Sequence, residues 1–393
     1  MYQCINLDWL EIFCNEDPAY PLTPEYFQRQ GWNVKRRAYG TRQYNQMFTL
    51  CWGEFGVYEI RRDPLSKKSQ GGIFADTACH IRLCNRQLYC PKPINQLVNF
   101  LQFNHIHFKS ISRFDLCKDF YKFDTRHENP KDFVSAYMKG LYAKIHQSRL
   151  SAYGLEKNAP GNVPTWDVAA HGEDNWDCRS WNSLKWGSPT SLVSTKLYNK
   201  SMELGREGHD KPYIRDQWRA CGFPEGTDVW RVEFSIHAGK RHQIERSSGR
   251  YQEIRLEQLS TPELLQMQFY SFYAEYFHFK VKEYTRNGTP KRKDLCSSVV
   301  FFENQQEAIF EPTTITKKHD TTRTDRLLIK RLREIINNSE DYHIDVKESC
   351  AKIIEYISYN SRNNGISPEE VDAIWARINE LHDLEPWYLT MER

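Results

Sequence analysis

The chain has 393 residues, room for two or three domains, because one hydrophobic core rarely grows past about 250–300 residues. A net charge of +3, from 54 basic and 51 acidic residues, excludes a polycation that grips nucleic acid through overall charge alone. Eleven cysteines without a CxxC pair give little support to a zinc ribbon, and a start without a leader, with no eighteen-residue apolar run, predicts a cytoplasmic protein with no membrane contact.

Ile5 to Phe13 alternates loosely and reads as a strand. Further strands are expected over Gln46 to Trp52, Val57 to Arg61 and Ala78 to Leu83, punctuated by Gly53, Gly56, Gly71 and Gly72. Pro93 begins a helix with Leu97, Val98 and Leu101 at helical spacing, and Ile111 to Phe120 is the next strand. Phe133, Tyr137 and Leu141 recur every four residues, which predicts a helix over 130–146. A polar loop over 154–183, a segment ending at Tyr198 and a charged connection lead to a strand over Val229 to Ile236. Thr261-Pro262-Glu263 has the cap and first-turn proline of a helix start, and Phe277 to Lys282 alternates again.

From Thr324 the pattern turns helical. Leu328, Leu332 and Ile335 mark one stripe, Val346, Cys350, Ile353 and Ile357 a second, and Ser367-Pro368-Glu369-Glu370 starts a third helix. The expected architecture is α+β. Residues 1–310 would form an antiparallel sheet with packed helices in two related halves, 1–150 and 151–310. A linker over 311–323 and a small all-helical domain over 324–393 would follow.

Two of the strands carry an arginine two places before an acid, Arg113-Phe114-Asp115 and Arg231-Val232-Glu233. Side chains two apart share a strand face, so Arg113, Asp115, Cys117 and Asp119 point one way while Phe114, Leu116 and Phe120 point the other. Charge in the middle of an otherwise apolar strand is costly without compensation. Either a buried Arg–Asp pair or a bound metal or phosphate would supply it. Side by side, the two strands would set Asp115 near Glu233 as hard oxygen ligands suited to Mg²⁺ or Mn²⁺. Asp119 lies about 13 Å further along a regular strand, too far to share the ion. Tyr198 stands between Lys196 and Lys200, cations that favour its phenolate, with Glu203 five residues on. A phenol, cations and separated carboxylates are the parts needed to attack a phosphodiester.

The run Asn182 to Ser191, with its Gly187-Ser188 turn, leads into Lys196-Leu197-Tyr198-Asn199-Lys200-Ser201-Met202-Glu203. With Arg113 to Asp119 and Trp230-Arg231-Val232-Glu233, it resembles the replication initiation factor family, the Rep-trans initiators of rolling-circle plasmids and related conjugative relaxases. The likeness covers about residues 5–300 in the family's motif order. It departs in the charged connection after Tyr198 and in one residue missing from the Trp230 element. It implies that Tyr198 attacks one strand of single-stranded or melted DNA, leaving a 5′-phosphotyrosyl bond and a free 3′-hydroxyl. It also implies that Asp115, Glu233 and Glu203 bind the divalent ion and that the protein acts as a homodimer, with a helicase as a further partner. Lys196, Lys200, Arg113 and Arg231 are the expected DNA-phosphate contacts.

Two rival readings stand beside it. His105-Ile106-His107 is the HUH pattern of a different class of nickases, in which two histidines sharing a strand face hold the metal. The same scaffold could also serve as a non-catalytic DNA-binding protein.

Overall fold

The computed structural model describes residues 4–124, 129–146, 149–156, 164–165, 178–188, 191–239, 241–289, 291–292, 295–302 and 310–317. The expected helical domain over 324–393 lies outside these residues, as does most of the loop over 157–177. Residues up to Lys317 make one compact unit.

Among the described residues, one sheet contains β1 (Ile5–Asn15), β2 (Asn33–Arg36), β3 (Tyr44–Trp52), β4 (Phe55–Pro64), β5 (Ala78–Leu83) and β6 (His107–Phe120). It continues through β8 (Leu150–Glu156), β9 (Pro164–Thr165), β10 (Cys178–Trp186), β11 (Val193–Asn199) and β12 (Trp230–His237). Two small sheets are built from β7 (Tyr142–Lys144), β15 (Phe279–Val281) and β16 (Ser298–Val299), and from β13 (His242–Arg246), β14 (Tyr251–Glu253) and β17 (Thr313–Lys317). The helices are α1 (Pro24–Arg29), α2 (Asn85–Leu88), α3 (Pro93–Phe103), α4 (Pro130–Met138), α5 (Lys200–Leu204), α6 (Pro212–Ala220) and α7 (Pro262–Tyr276).

The large sheet runs β2-β3-β4-β5-β1-β6-β12-β11-β10-β8-β9 and is antiparallel throughout. The two Arg-x-acid strands, β6 and β12, are therefore direct neighbours at its middle. The flanks differ in order. On one side β1 is inserted between β5 and β6, whereas on the other β10, β11 and β12 follow one another as a meander, with β8 beside β10 and β9 at the edge. That asymmetry gives the expected pair of related halves no common strand order.

Alternation explains the packing. From β12, Trp230, Val232, Phe234 and Ile236 face one way and are buried, with Phe234 5.2 Å from the ring of Phe269 on α7. Thr261 caps α7 as the sequence suggests, its side chain accepting from the Leu264 N–H, with Pro262 in the first turn. Phe114, Leu116 and Phe120 of β6 join this apolar face, and so does Lys118. Its ammonium donates to Tyr270 Oη at 2.7 Å and lies 4.2 Å over the Phe302 ring, which lets a cation sit among rings at the cost of a pKa lowered to about 8 by burial.

Two boundaries depart from expectation. The helix expected over 130–146 stops at Met138, because Gly140 takes φ 76°, a left-handed conformation that ends helices cheaply. Leu141 is exposed beyond it, and Tyr142–Lys144 pairs with β15 instead. The expected linker over 311–323 begins with a strand. Thr313 and Ile315 alternate into the core while β17 pairs with β13, so a polar, β-branched run is half-buried sheet.

Candidate active site

The face of β6, β11 and β12 opposite α7 floors a cleft of about 910 Å³ lined by Asp8, Asp115, Lys196, Tyr198, Glu203 and Glu233, among others. Register makes the arrangement. Lys196 and Tyr198 lie opposite Glu233 and Arg231 across the β11–β12 ladder, and Ser235, Glu233 and Arg231 lie opposite Asp115, Cys117 and Asp119 across β12–β6. Glu233 is therefore a diagonal neighbour of Asp115 on one sheet face, within reach of side-chain interaction.

Tyr198 is half-buried in the cleft wall, near the end of β11. Its hydroxyl donates to Glu233 Oε2 at 2.9 Å, and the other oxygen of Glu233 accepts from Lys196 Nζ at 2.6 Å. Asn199 ends the strand and caps α5, accepting from the Met202 N–H. The turn it makes brings Lys200 back over the tyrosine. That ammonium is 1% exposed, lies 5.4 Å from the ring centroid and 3.4 Å from the phenolic oxygen, and donates to Glu203 Oε2 at 2.8 Å.

The electrostatics separate two carboxylates. Burial works against ionised Glu233, but Lys196 outweighs it, aided by Arg231, and holds the carboxyl below its ordinary value. Asp115 goes the other way. Burial and the charge of Glu233 push it up to about 6, although Arg113 grips it bidentately at 2.6 and 2.9 Å. Tyr198 is pushed well above its ordinary value by burial and then by Glu233, so the resting phenol keeps its proton. Crowded carboxylates of this kind suit a hard dication, which would relieve their repulsion. Each already has a cationic partner, however, and among the described residues no group of three His, Cys, Asp or Glu side chains is placed to share one ion. The expected trio with Glu203 is not assembled, since Lys200 holds Glu203. Asp115 and Glu233, both hard oxygen donors, are the pair that would hold Mg²⁺ or Mn²⁺.

Arg231 is not where a DNA contact would be. It is 0% exposed, bound by Asp119 at 2.5 and 2.7 Å and by Asp8 at 2.7 Å, with the Tyr89 hydroxyl accepting from it at 3.1 Å. Asp119 also accepts from Trp218 Nε1 on α6 at 2.8 Å. This network runs from buried Arg231 to Asp8 on the cleft wall and ties β12 to β6 and β1, which makes Arg231 a positioning residue.

Sequence reasoning missed Asp8. Pairing of β1 with β6 jumps from Leu7–Leu116 to Trp9–Asp115, so Asp8 is the extra residue of a bulge. A bulge re-aims a side chain that alternation would send elsewhere. Arg231 and Lys200 overcome the burial of Asp8 and hold it well below the usual carboxylate range. Trp9, its neighbour, lies between two guanidiniums, 4.4 Å from Arg82 and 4.6 Å from Arg113. Beyond the residues that line the cleft, Lys185 is directly opposite Lys196 across β10–β11. Burial, Lys196 and Arg113 lower the pKa of Lys185.

The histidine pattern does not form a metal site. His105 sits in the turn after α3 with φ 54°, stacked 4.3 Å from Tyr20, while His107 begins β6. The two do not share a strand face, both are exposed, and neither lines the cleft.

Comparison with protein-family models finds no match, and comparison with curated proteins finds none either. Among solved structures, the chain is similar to the rolling circle replication initiator protein from Geobacillus stearothermophilus, with a TM-score of 0.41 and 13% identity over 76% of this chain and 92% of that one. An overlap that loose transfers no residue role, and none is taken from it. Among the described residues no helix is long and apolar enough to cross a membrane.

Proposed function

We propose that this protein nicks one strand of DNA through attack by Tyr198 on a backbone phosphate, as a rolling-circle replication initiator or related relaxase. The observation that carries the reading is the 2.9 Å hydrogen bond from Tyr198 Oη to Glu233 inside a cleft lined by both carboxylates and cations. A nucleophile and a proton acceptor at that distance form an activation pair. The rolling-circle assignment rests on the order of the three motifs in the sequence.

The ordinary values of the phenol and the carboxyl, 10.0 and 4.5, are pushed further apart here. Full proton transfer in the resting site therefore costs more than about 7 kcal/mol. The proton passes to Glu233 only as the Oη–P bond forms. The bond from phosphorus to the 3′ oxygen breaks, that oxygen takes up a proton from water, and the 5′ phosphate stays on Tyr198. Lys200, beside the phenolic oxygen, stabilises negative charge there. Lys196 and Arg113 keep Glu233 and Asp115 ionised and oriented while offering donors to phosphate oxygens. When bound at Asp115 and Glu233, Mg²⁺ or Mn²⁺ would polarise the scissile phosphate. Lys185 and Lys196 are like charges facing each other across a ladder; Glu233 offsets part of their repulsion, and a further anion over Lys185 would relieve the rest. A DNA backbone crossing the sheet at this point supplies that anion.

The test is single-turnover nicking of a labelled oligonucleotide, read on a denaturing gel. Wild type with Mn²⁺ should give a protein–DNA adduct, and Tyr198→Phe should bind the oligonucleotide without forming one. Undiminished cleavage by Tyr198→Phe rejects the assignment.

A further inference from the structure

A second hollow, of about 710 Å³, lies among β3, β4, α2 and α3, apart from the cleft. Its back wall is a stack of Tyr58 on Phe100, ring centroids 4.0 Å apart, with Trp32 edge-on to both at 6.2 Å. Its mouth is flanked by two rings that the fold leaves in solvent, Trp52 at 76% exposure and Phe103 at 71%. Trp52 is held at the tip of the β3–β4 hairpin, where Gly53 turns the chain with φ 60°. Exposing two large rings at one opening forgoes burial worth roughly 1.5–3 kcal/mol each, which favours a role for them outside the core.

Polar groups converge on the same hollow. Gln87 and Gln96 line it and are tied together at 2.5 Å, Asn99 is exposed beside them, and Asn104 lines it deeper. Asn104 is 1% exposed and donates to Phe100 O at 2.8 Å, but its Oδ1 has no hydrogen-bond partner. Amide groups offer a donor and an acceptor side by side, the pattern that reads the edge of a base. Two cations contact the hairpin that carries Trp52. Lys35 is fixed to Glu54 O beyond Trp52, and the Arg86 guanidinium lies 3.5 Å over the Phe55 ring in the same hairpin.

We propose that this hollow receives an unpaired nucleobase of single-stranded DNA, stacked on Trp52, whose ring stands 79° to that of Trp32 behind it, with the base edge against the amides, while Lys35 and Arg86 face the adjoining phosphates. The inference rests on the reading that the protein acts on DNA. It gives the protein a second hold on the strand, away from the chemistry.

The test uses the full chain carrying Tyr198→Phe, in EDTA, so that neither nicking nor metal enters. Fluorescence anisotropy of a labelled oligodeoxynucleotide gives affinity, and the difference in acrylamide quenching between this protein and its Trp52→Phe variant reports whether Trp52, one of eleven tryptophans, is open. A stacked base is expected to give Trp52→Ala about a 5- to 150-fold weaker affinity. Trp52→Phe should recover most of it, and the oligonucleotide should shield Trp52 from acrylamide. Equal affinity of Trp52→Ala and its parent overturns the inference while leaving the nicking reading intact. So does a Trp52 already shielded without DNA, because another part of the chain then fills the hollow. No binding of DNA by the parent protein overturns both.

Discussion

Replacing Arg231 by methionine should destabilise the protein strongly and in a pH-dependent way. The guanidinium is fully buried and paired with Asp119 and Asp8, so its loss strips Asp119 of its cation and leaves Asp8 to the charges of Lys200 and Lys211. Removing one partner of a buried ionic group costs about 3–5 kcal/mol, a large part of the roughly 5–15 kcal/mol that holds a domain folded. In the wild type Asp8 is depressed below its ordinary 3.8, so its contribution is present above that value and lost as pH falls through the folded one. In Arg231→Met Asp8 loses the largest of the charges that depress it, so the deficit should be largest near pH 7 and shrink toward pH 3, below its ordinary value. Urea unfolding at both pH values measures it. Adding Asp119→Asn removes one orphaned charge yet leaves an oxygen for Trp218, and should restore about 2 kcal/mol. A deficit below about 1 kcal/mol, a deficit independent of pH, or a double variant no better than the single would refute the reasoning.

Three further expectations concern the cleft. Glu233→Gln keeps the shape but removes the proton acceptor, and should slow single-turnover nicking by about 10²- to 10⁴-fold while oligonucleotide affinity changes far less. Because Asp115 titrates at about 6, protons compete with a metal there; Mn²⁺ affinity followed by electron paramagnetic resonance should fall as pH drops below that value, and Asp115→Asn should bind weakly at every pH. Lys185→Ala should lower the slope of log affinity against log salt by about 1, because one phosphate contact is lost. The same change should stabilise the free protein by about 0.2–1 kcal/mol, because the repulsion from Lys196 goes with it.

Much of the site was legible because it is made of regular strands. Period-2 alternation sends Asp115, Glu233, Lys196 and Tyr198 to one sheet face, and nothing further is needed to place them together once β6, β12 and β11 are neighbours. What stayed hidden depends on irregularity or on distant partners. Asp8 reaches Arg231 through a bulge that no alternation pattern marks. Arg231 is expected from the sequence to contact DNA phosphate because its sequence neighbours do not reveal Asp119, 112 positions earlier in the chain. The helix α6 was lost in a charged stretch, although Pro212 at its start and the buried pair Ile214 and Trp218, four apart, were its signal. Polar composition likewise masked β17, where only Thr313 and Ile315 face inward.

The most direct measurement is mass spectrometry of the trapped complex. The protein is incubated with Mn²⁺ and a suicide oligonucleotide, digested with nuclease and protease, and the peptides are searched for a nucleotide adduct. The mass of a 5′-linked nucleotide on the peptide containing Tyr198, and its absence from Glu233→Gln over the same interval, are the expected results. An adduct on a different tyrosine, or cleaved DNA with no adduct on any peptide, would contradict the account.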